Sequence, residues 1–237
     1  MDVFLKLISE SFLSFYPAMV KYIKYPIKNQ VWARLTIYAI IALFFIDKTV
    51  WLKLISIQGI LLAIINIFHV WTSYIGFKNL DSGVSYSIFY LYPIFIILFS
   101  GKFNIIYFLP FIGVLLLTHS QWKQNLNPNF LLGFLGIIGA TLSEVAIYFA
   151  AKKLNNKNPW NTILIAYLLP AIILTLFLNK DIIHPLQLNN QTNTKNQTLL
   201  LLLGNAIIGV IGYTLRFYTI QKLPTNIYSV LSYLKMI

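Results

Sequence analysis

The chain has 237 residues, of which 58% are hydrophobic and only 10% charged, with a mean hydropathy of +0.74. An ordinary soluble domain is about 45–50% apolar and about 25% charged, so a water-soluble enzyme and a disordered chain are both excluded. Lys and Arg number 18 against 6 Asp and Glu, a formal charge of +12, but the basic residues mostly punctuate the ends of apolar runs, as membrane-interface anchors do, and do not form a nucleic-acid face.

Apolar runs fall at 4–22, 33–47, 54–76, 82–100, 104–119, 129–151, 160–179 and 198–220, and a ninth begins near 224. All read as helices, because barrel strands would alternate in segments of about ten residues. The first run follows Met1–Asp2 without a basic leader or a cleavage site and reads as a retained span. Trp32, Trp51, Trp122 and Trp160 lie near run edges, the aromatic-belt position, whereas Trp71 sits inside the third run. The longest connection, Lys180 to Gln197, carries two glycosylation-type triplets at Asn190 and Asn196, which an Asn-rich loop produces by chance. The last segment, Thr225–Ile237, is too short to cross about 30 Å of hydrocarbon at about 1.5 Å per residue. About eight complete spans and the start of a ninth are expected, in a chain that reads as truncated or partial before a tenth.

The runs repeat. A shift of 129 places Leu13-Ser14 on Leu142-Ser143 and Lys24 on Lys153, and a shift of 143 places Leu80 on Leu223 and Tyr90 on Tyr233. Both pair span n with span n+5. Five spans per half put the second half upside down relative to the first, the inverted-repeat arrangement common in transporters. The expected fold is therefore an all-α polytopic membrane protein of two inverted five-helix repeats, 1–119 and 129–237, the second incomplete. Lys21, Lys24, Lys28 and Arg34 after span 1 then face the opposite side from Lys152, Lys153 and Lys157 after span 6. Charge alone does not orient such a chain.

Polar residues inside the spans recur at helical spacing. Glu10, Ser14, Pro17 and Lys21 share a face of span 1; Asn66, His69, Ser73 and Gly76 of span 3; Asn205, Gly209, Gly212 and Arg216 of span 8. The shift of 143 lays Asn66, His69 and Ser73 on Gly209, Gly212 and Arg216. Span 4 adds Tyr86, Tyr90 and Pro93, and span 6 adds Gly136, Ala140 and Ser143 with Glu144 beside them. A charge in hydrocarbon is costly and faces the bundle interior or a wet cavity, which makes Glu10, His69, Glu144 and Arg216 the leading candidates. Three have a plainer alternative, Glu10 reaching headgroups, Arg216 snorkelling to an interface and His69 bonding a neighbouring helix, whereas Glu144 is deeper in its run. The glycines suit close helix packing, and Pro17, Pro93 and Pro170 loosen their helices.

Several chemistries have no signature. There is no phosphate-binding Gly-rich loop with Lys-Ser/Thr, no HExxH and no GxSxG; His69, His119 and His184 are dispersed, and cysteine is absent. No enzyme activity and no cofactor are expected.

Several stretches together resemble one family. They are Phe15-Tyr16-Pro17-Ala18-Met19-Val20-Lys21 with Arg34 opening span 2, Thr72-Ser73-Tyr74-Ile75-Gly76-Phe77, Tyr90-Leu91-Tyr92-Pro93-Ile94-Phe95, and Gly209-Val210-Ile211-Gly212-Tyr213-Thr214-Leu215-Arg216-Phe217-Tyr218 followed by Leu223-Pro224 and Tyr228-Ser229-Val230. The chain resembles the drug/metabolite transporter superfamily in its EamA-like branch. That resemblance implies ten helices in two inverted halves, cytoplasmic termini, and ATP-independent movement of a small solute by alternating access. It also implies a cavity lined by helices 1, 3, 4, 6, 8 and 9, the spans that carry the stripes. The candidate cavity residues are Glu10, Ser14, Lys21, Asn66, His69, Trp71, Ser73, Tyr86, Tyr90, Ser143, Glu144, Asn205, Tyr213 and Arg216. In this scheme Arg216 and Lys21 attract an anionic group, Tyr86, Tyr90 and Trp71 stack or hydrogen-bond, and Glu10 or Glu144 carries a coupling proton. The partners are a small-molecule substrate and the bilayer, with room for a homodimer. Two other classes compete: a membrane-embedded lipid or isoprenoid enzyme, which needs a polar cluster at one interface, and a non-transporting assembly subunit, whose stripes would hold small residues only.

Overall fold

The computed structural model of the protein describes residues 1–101, 109–124, 129–177 and 192–233. Among these there is no strand. The helices are α1 (Asp2–Tyr22), α2 (Ile27–Leu43), α3 (Val50–Leu54), α4 (Ile57–Asn79), α5 (Ser82–Phe89), α6 (Tyr92–Phe99), α7 (Leu109–Gln124), α8 (Phe130–Leu154), α9 (Pro159–Phe177), α10 (Thr192–Lys222) and α11 (Thr225–Tyr233). Six segments among the described residues are long and apolar enough to cross a membrane: α1, α4, α5 with α6, α8, α9, and Leu199–Lys222 of α10. The architecture is that of an all-α integral membrane protein. Asn190 and His184 lie outside the described residues.

Local chemistry explains where the helices start and break. Pro26 stands at the N-cap of α2, and the helix runs from Ile27, six residues before the expected 33. Arg34, expected among the basic residues at the opening of that span, consequently lies two turns inside it. The Ser56 hydroxyl accepts from the Gly59 amide at 3.1 Å and caps α4. The run 82–100 is one crossing in two pieces: α5 ends at Phe89 and α6 begins at Tyr92, because Pro93 has no amide hydrogen to offer the Phe89 carbonyl. Pro17 and Pro170 sit within continuous helices. Asn155 ends α8 in the left-handed region at φ 49°, and Lys53 donates to the Leu154 and Asn155 carbonyls there.

Packing pairs helices that are remote in sequence. α4 lies along α8, α1 along α10 and α2 along α9; α4 also meets α9, α10 meets α2, and α6 meets α11. Small residues permit the closest approach. A Cβ on Gly76 would stand 2.9 Å from the Ile137 Cβ and backbone nitrogen, and one on Gly136 would stand 3.0 Å from the Gly76 nitrogen. On α10, a Cβ on Gly209 would overlap the Tyr38 hydroxyl and one on Gly212 would overlap Leu13.

The distribution of side chains is that of a membrane bundle. Phe4, Phe15, Ile40, Ile64, Phe68, Leu131, Leu135 and Ile207 face outward, while Lys6, Glu10, Arg34, Asn66, His69, Glu144 and Arg216 are buried. Lipid accepts an apolar exterior, and the bundle interior is where ionisable groups find partners.

Candidate functional site

The buried charges converge where α1, α6, α8 and α10 meet. Arg216 is the centre. Its Nη1 donates to Glu144 Oε1 at 2.6 Å; its Nη2 donates to Glu10 Oε1 at 3.1 Å and to the Tyr92 hydroxyl at 3.0 Å. The planar fork of a guanidinium suits this double engagement, which a lysine ammonium would not reproduce. Glu10 also takes the Lys6 ammonium one helical turn earlier, and that ammonium lies 3.7 Å from the centre of the Tyr228 ring. Lys6, Glu10, Glu144 and Arg216 are each 1% exposed or less, so the network is sealed from solvent. Arg216 therefore does not snorkel, and Glu10 does not reach a headgroup region.

His69 joins the network from α4. Its Nδ1 is 3.1 Å from the Ala140 carbonyl and 3.1 Å from Ser143 Oγ; its Nε2 is 3.2 Å from the Tyr213 hydroxyl and 3.3 Å from Glu144 Oε2. A carbonyl only accepts, so the tautomer that fits carries its hydrogen on Nδ1. A neutral ring then accepts from Tyr213 at Nε2, and a second proton at Nε2 would lie against Glu144.

Beside this network is a narrow cavity lined by Leu13, Tyr16, Pro17, His69, Ser73, Phe77, Tyr86, Phe89, Tyr90, Tyr213 and Arg216. The rings crowd it: Tyr86 and Tyr90 stack at 5.7 Å, and Phe77 meets Phe89 edge-on at 5.9 Å. Its free space has room for about one water molecule.

Next to the cavity, Arg34 is 2% exposed and encased in tyrosine. It donates to the hydroxyls of Tyr16 and, at 3.2 Å, Tyr167. Its guanidinium lies 4.5 Å from the Tyr16 ring centre, 4.8 Å from Tyr213, 5.3 Å from Tyr38 and 5.9 Å from Tyr167. Aromatic faces stabilise a cation through their quadrupoles. Among the described residues no carboxylate pairs with it.

Of the candidates named from sequence, the fold brings together Glu10, His69, Ser73, Tyr86, Tyr90, Ser143, Glu144, Tyr213 and Arg216. Five others lie elsewhere. Asn205 donates to the Tyr74 hydroxyl at 3.4 Å and lines a second void with Gln30, Arg34 and Tyr74. Asn66 donates to the Ala166 carbonyl at 2.9 Å and ties α4 to α9. The Ser14 hydroxyl donates to its own helix at Ser11. Trp71 is 38% exposed on the outer side of α4. Lys21, at the end of α1, donates to the Leu80 carbonyl and lies 3.6 Å from exposed Asp81. Lys6, Arg34 and Tyr92 belong to the site and were not singled out as such from sequence. The signals were present: Lys6 and Glu10 are one turn apart in an apolar run, and Pro26 as a helix start places Arg34 inside the next.

No family model and no curated protein matches the chain.

Proposed function

We propose that the protein is an ATP-independent transporter of a small polar metabolite or drug-like solute, working by alternating access and similar to EamA-like permeases. The observation that carries this reading is the sealed network of Glu10, Glu144, Arg216 and His69 beside an aromatic cavity at the meeting of five helices. Charged groups held inside a membrane bundle in this way characterise ion and substrate pathways. The packing supports an inverted repeat. Exchanging α1 with α8, α2 with α9, α4 with α10, and α5–α6 with α11 turns the α1–α10 contact into the α8–α4 contact. The same exchange leaves the α2–α9 and α6–α11 contacts in place. The small free space suits an occluded conformation and not an open pore. A coupling proton fits best between His69 Nε2 and Glu144 Oε2. The enzyme reading calls for acids or histidines gathered at one interface, and among the described residues no metal-holding group of three such side chains occurs; the assembly-subunit reading does not explain five buried charges.

The natural absence of cysteine supplies the test. Ser73 lines the cavity and its hydroxyl bonds only within α4, to the Val70 carbonyl. A Ser73→Cys variant in right-side-out and in inside-out vesicles is treated with a membrane-impermeant maleimide. Labelling from both faces is expected. Labelling from one face only, or from neither, refutes alternating access.

A further inference from the structure

The charge count around the cavity does not close. Among the described residues the buried charged side chains are Lys6, Arg34 and Arg216 on one side and Glu10 and Glu144 on the other. Both carboxylates are engaged by Arg216, and Glu10 also by Lys6. Among the described residues the cation left uncompensated is Arg34, whose partners there are tyrosine hydroxyls and ring faces. Any proton held by His69 or by a carboxylate adds to this positive surplus.

We infer that the cavity, widened from this occluded state as the bundle opens, takes a monoanionic solute with an aromatic or similarly flat apolar body, its negative charge balanced by Arg34. This rests on the transporter reading above and names its substrate class. Arg216, the first choice from sequence for attracting an anion, is already neutralised by two carboxylates, and Lys21 does not line the cavity but bonds the Leu80 carbonyl and pairs with Asp81 at the end of α1. Arg34 stands directly behind Tyr16 and Tyr213, two of the rings that line the cavity. The other rings there, Phe77, Tyr86, Phe89 and Tyr90, supply flat apolar walls.

The second void beside Arg34 has different chemistry. There Arg34 Nε has no partner, and neither do the carbonyl oxygens of Gln30 and Asn205. One donor beside two acceptors, in a void with room for at most one water, is the partner set of a bridging water and not of an anion. The anion's place is thus the aromatic cavity. At an effective dielectric constant of about 20, a positive charge about 8 Å from a carboxylate changes its binding constant by on the order of thirtyfold.

The test is isothermal titration calorimetry of the purified protein with three solutes of one skeleton: phenylacetate, 2-phenylethanol and phenethylamine. Phenylacetate is expected to bind at least about tenfold tighter than the neutral and cationic partners. Arg34→Gln is expected to abolish that preference, and Arg34→Lys, which keeps the charge, to retain it. If Arg34→Gln does not fold, Arg34→Met, which keeps the apolar stem without the charge, takes its place with the same expected loss of preference. Equal or tighter binding of 2-phenylethanol or phenethylamine, no binding of phenylacetate, or an unchanged preference in Arg34→Gln overturns the inference. The two readings fail separately. Arg34-dependent anion binding with one-sided Ser73→Cys labelling removes the transporter and keeps the anion site, whereas two-sided labelling with a preference for the cation does the reverse.

Discussion

Arg216→Met is the most informative single change for the buried network. Methionine approximates the length of the arginine stem but carries no charge and no donor. The change leaves Glu10 and Glu144, on α1 and α8, without the guanidinium that now bonds both at 2.6–3.1 Å. It also takes a donor from the Tyr92 hydroxyl. Removing one partner of a buried ion pair costs about 3–5 kcal/mol; here Glu144 is left without its cation, while Glu10 keeps the Lys6 ammonium. Against a total stability of about 5–15 kcal/mol, the variant should stand close to its unfolding threshold. The loss should be shared with Glu144. In Arg216→Met combined with Glu144→Gln, one stranded charge disappears, and the double variant should be at least about 1 kcal/mol more stable than the two single losses would sum to. The assay is denaturant unfolding of the detergent-solubilised protein. Lys21→Met serves as the reference, since its exposed contact with Asp81 should be worth less than about 1 kcal/mol. If Arg216→Met and Lys21→Met unfold alike, the buried network does not hold the bundle together as described.

Helix contact supplies a second comparison. Gly76→Ala presses a methyl group onto the Ile137 backbone and should cost about 1–3 kcal/mol, while Gly83→Ala in α5, with nothing within 4 Å, should be neutral or stabilise by up to about 1 kcal/mol; thermal unfolding separates them. Lys53→Met withdraws the ammonium from the Leu154 and Asn155 carbonyls and should lower stability by about 1 kcal/mol in the same measurement. Asn66→Leu removes one bond to Ala166 together with an unpartnered buried oxygen, so it should change stability by less than about 1 kcal/mol. In a Ser73→Cys background it should leave maleimide labelling of the cavity unchanged. Loss of that labelling would place Asn66 in the pathway instead of in the α4–α9 contact.

Much of this protein is determined by sequence alone, because the bilayer leaves few options. A chain this apolar must satisfy its backbone internally, so its runs are helices and their positions follow from hydropathy. Glu10, Glu144, His69 and Arg216 stand out for the same reason: an ionisable group in hydrocarbon turns inward, and helical spacing shows which face turns with it. The glycines of α8 and α10 were legible as packing positions and serve as such.

What one sequence does not contain is which inward faces meet. Arg216 and Glu10 are separated by 206 positions, and Arg216 and Glu144 by 72. That one guanidinium bonds both carboxylates is decided by α1 and α8 being packed beside α10. The same packing reassigns the charges. Arg216 is balanced and Lys6 is drawn into the network; Lys21 is left at the end of α1, about three turns beyond Glu10 on the same face, and Trp71 on the outer side of α4. Arg34 changes most. In sequence it is one more basic residue near a span boundary; in the fold, tyrosines from α1, α2, α9 and α10 close around it and no carboxylate among the described residues reaches it. Hydropathy locates a charge along the chain, but only tertiary structure decides whether that charge is already paired.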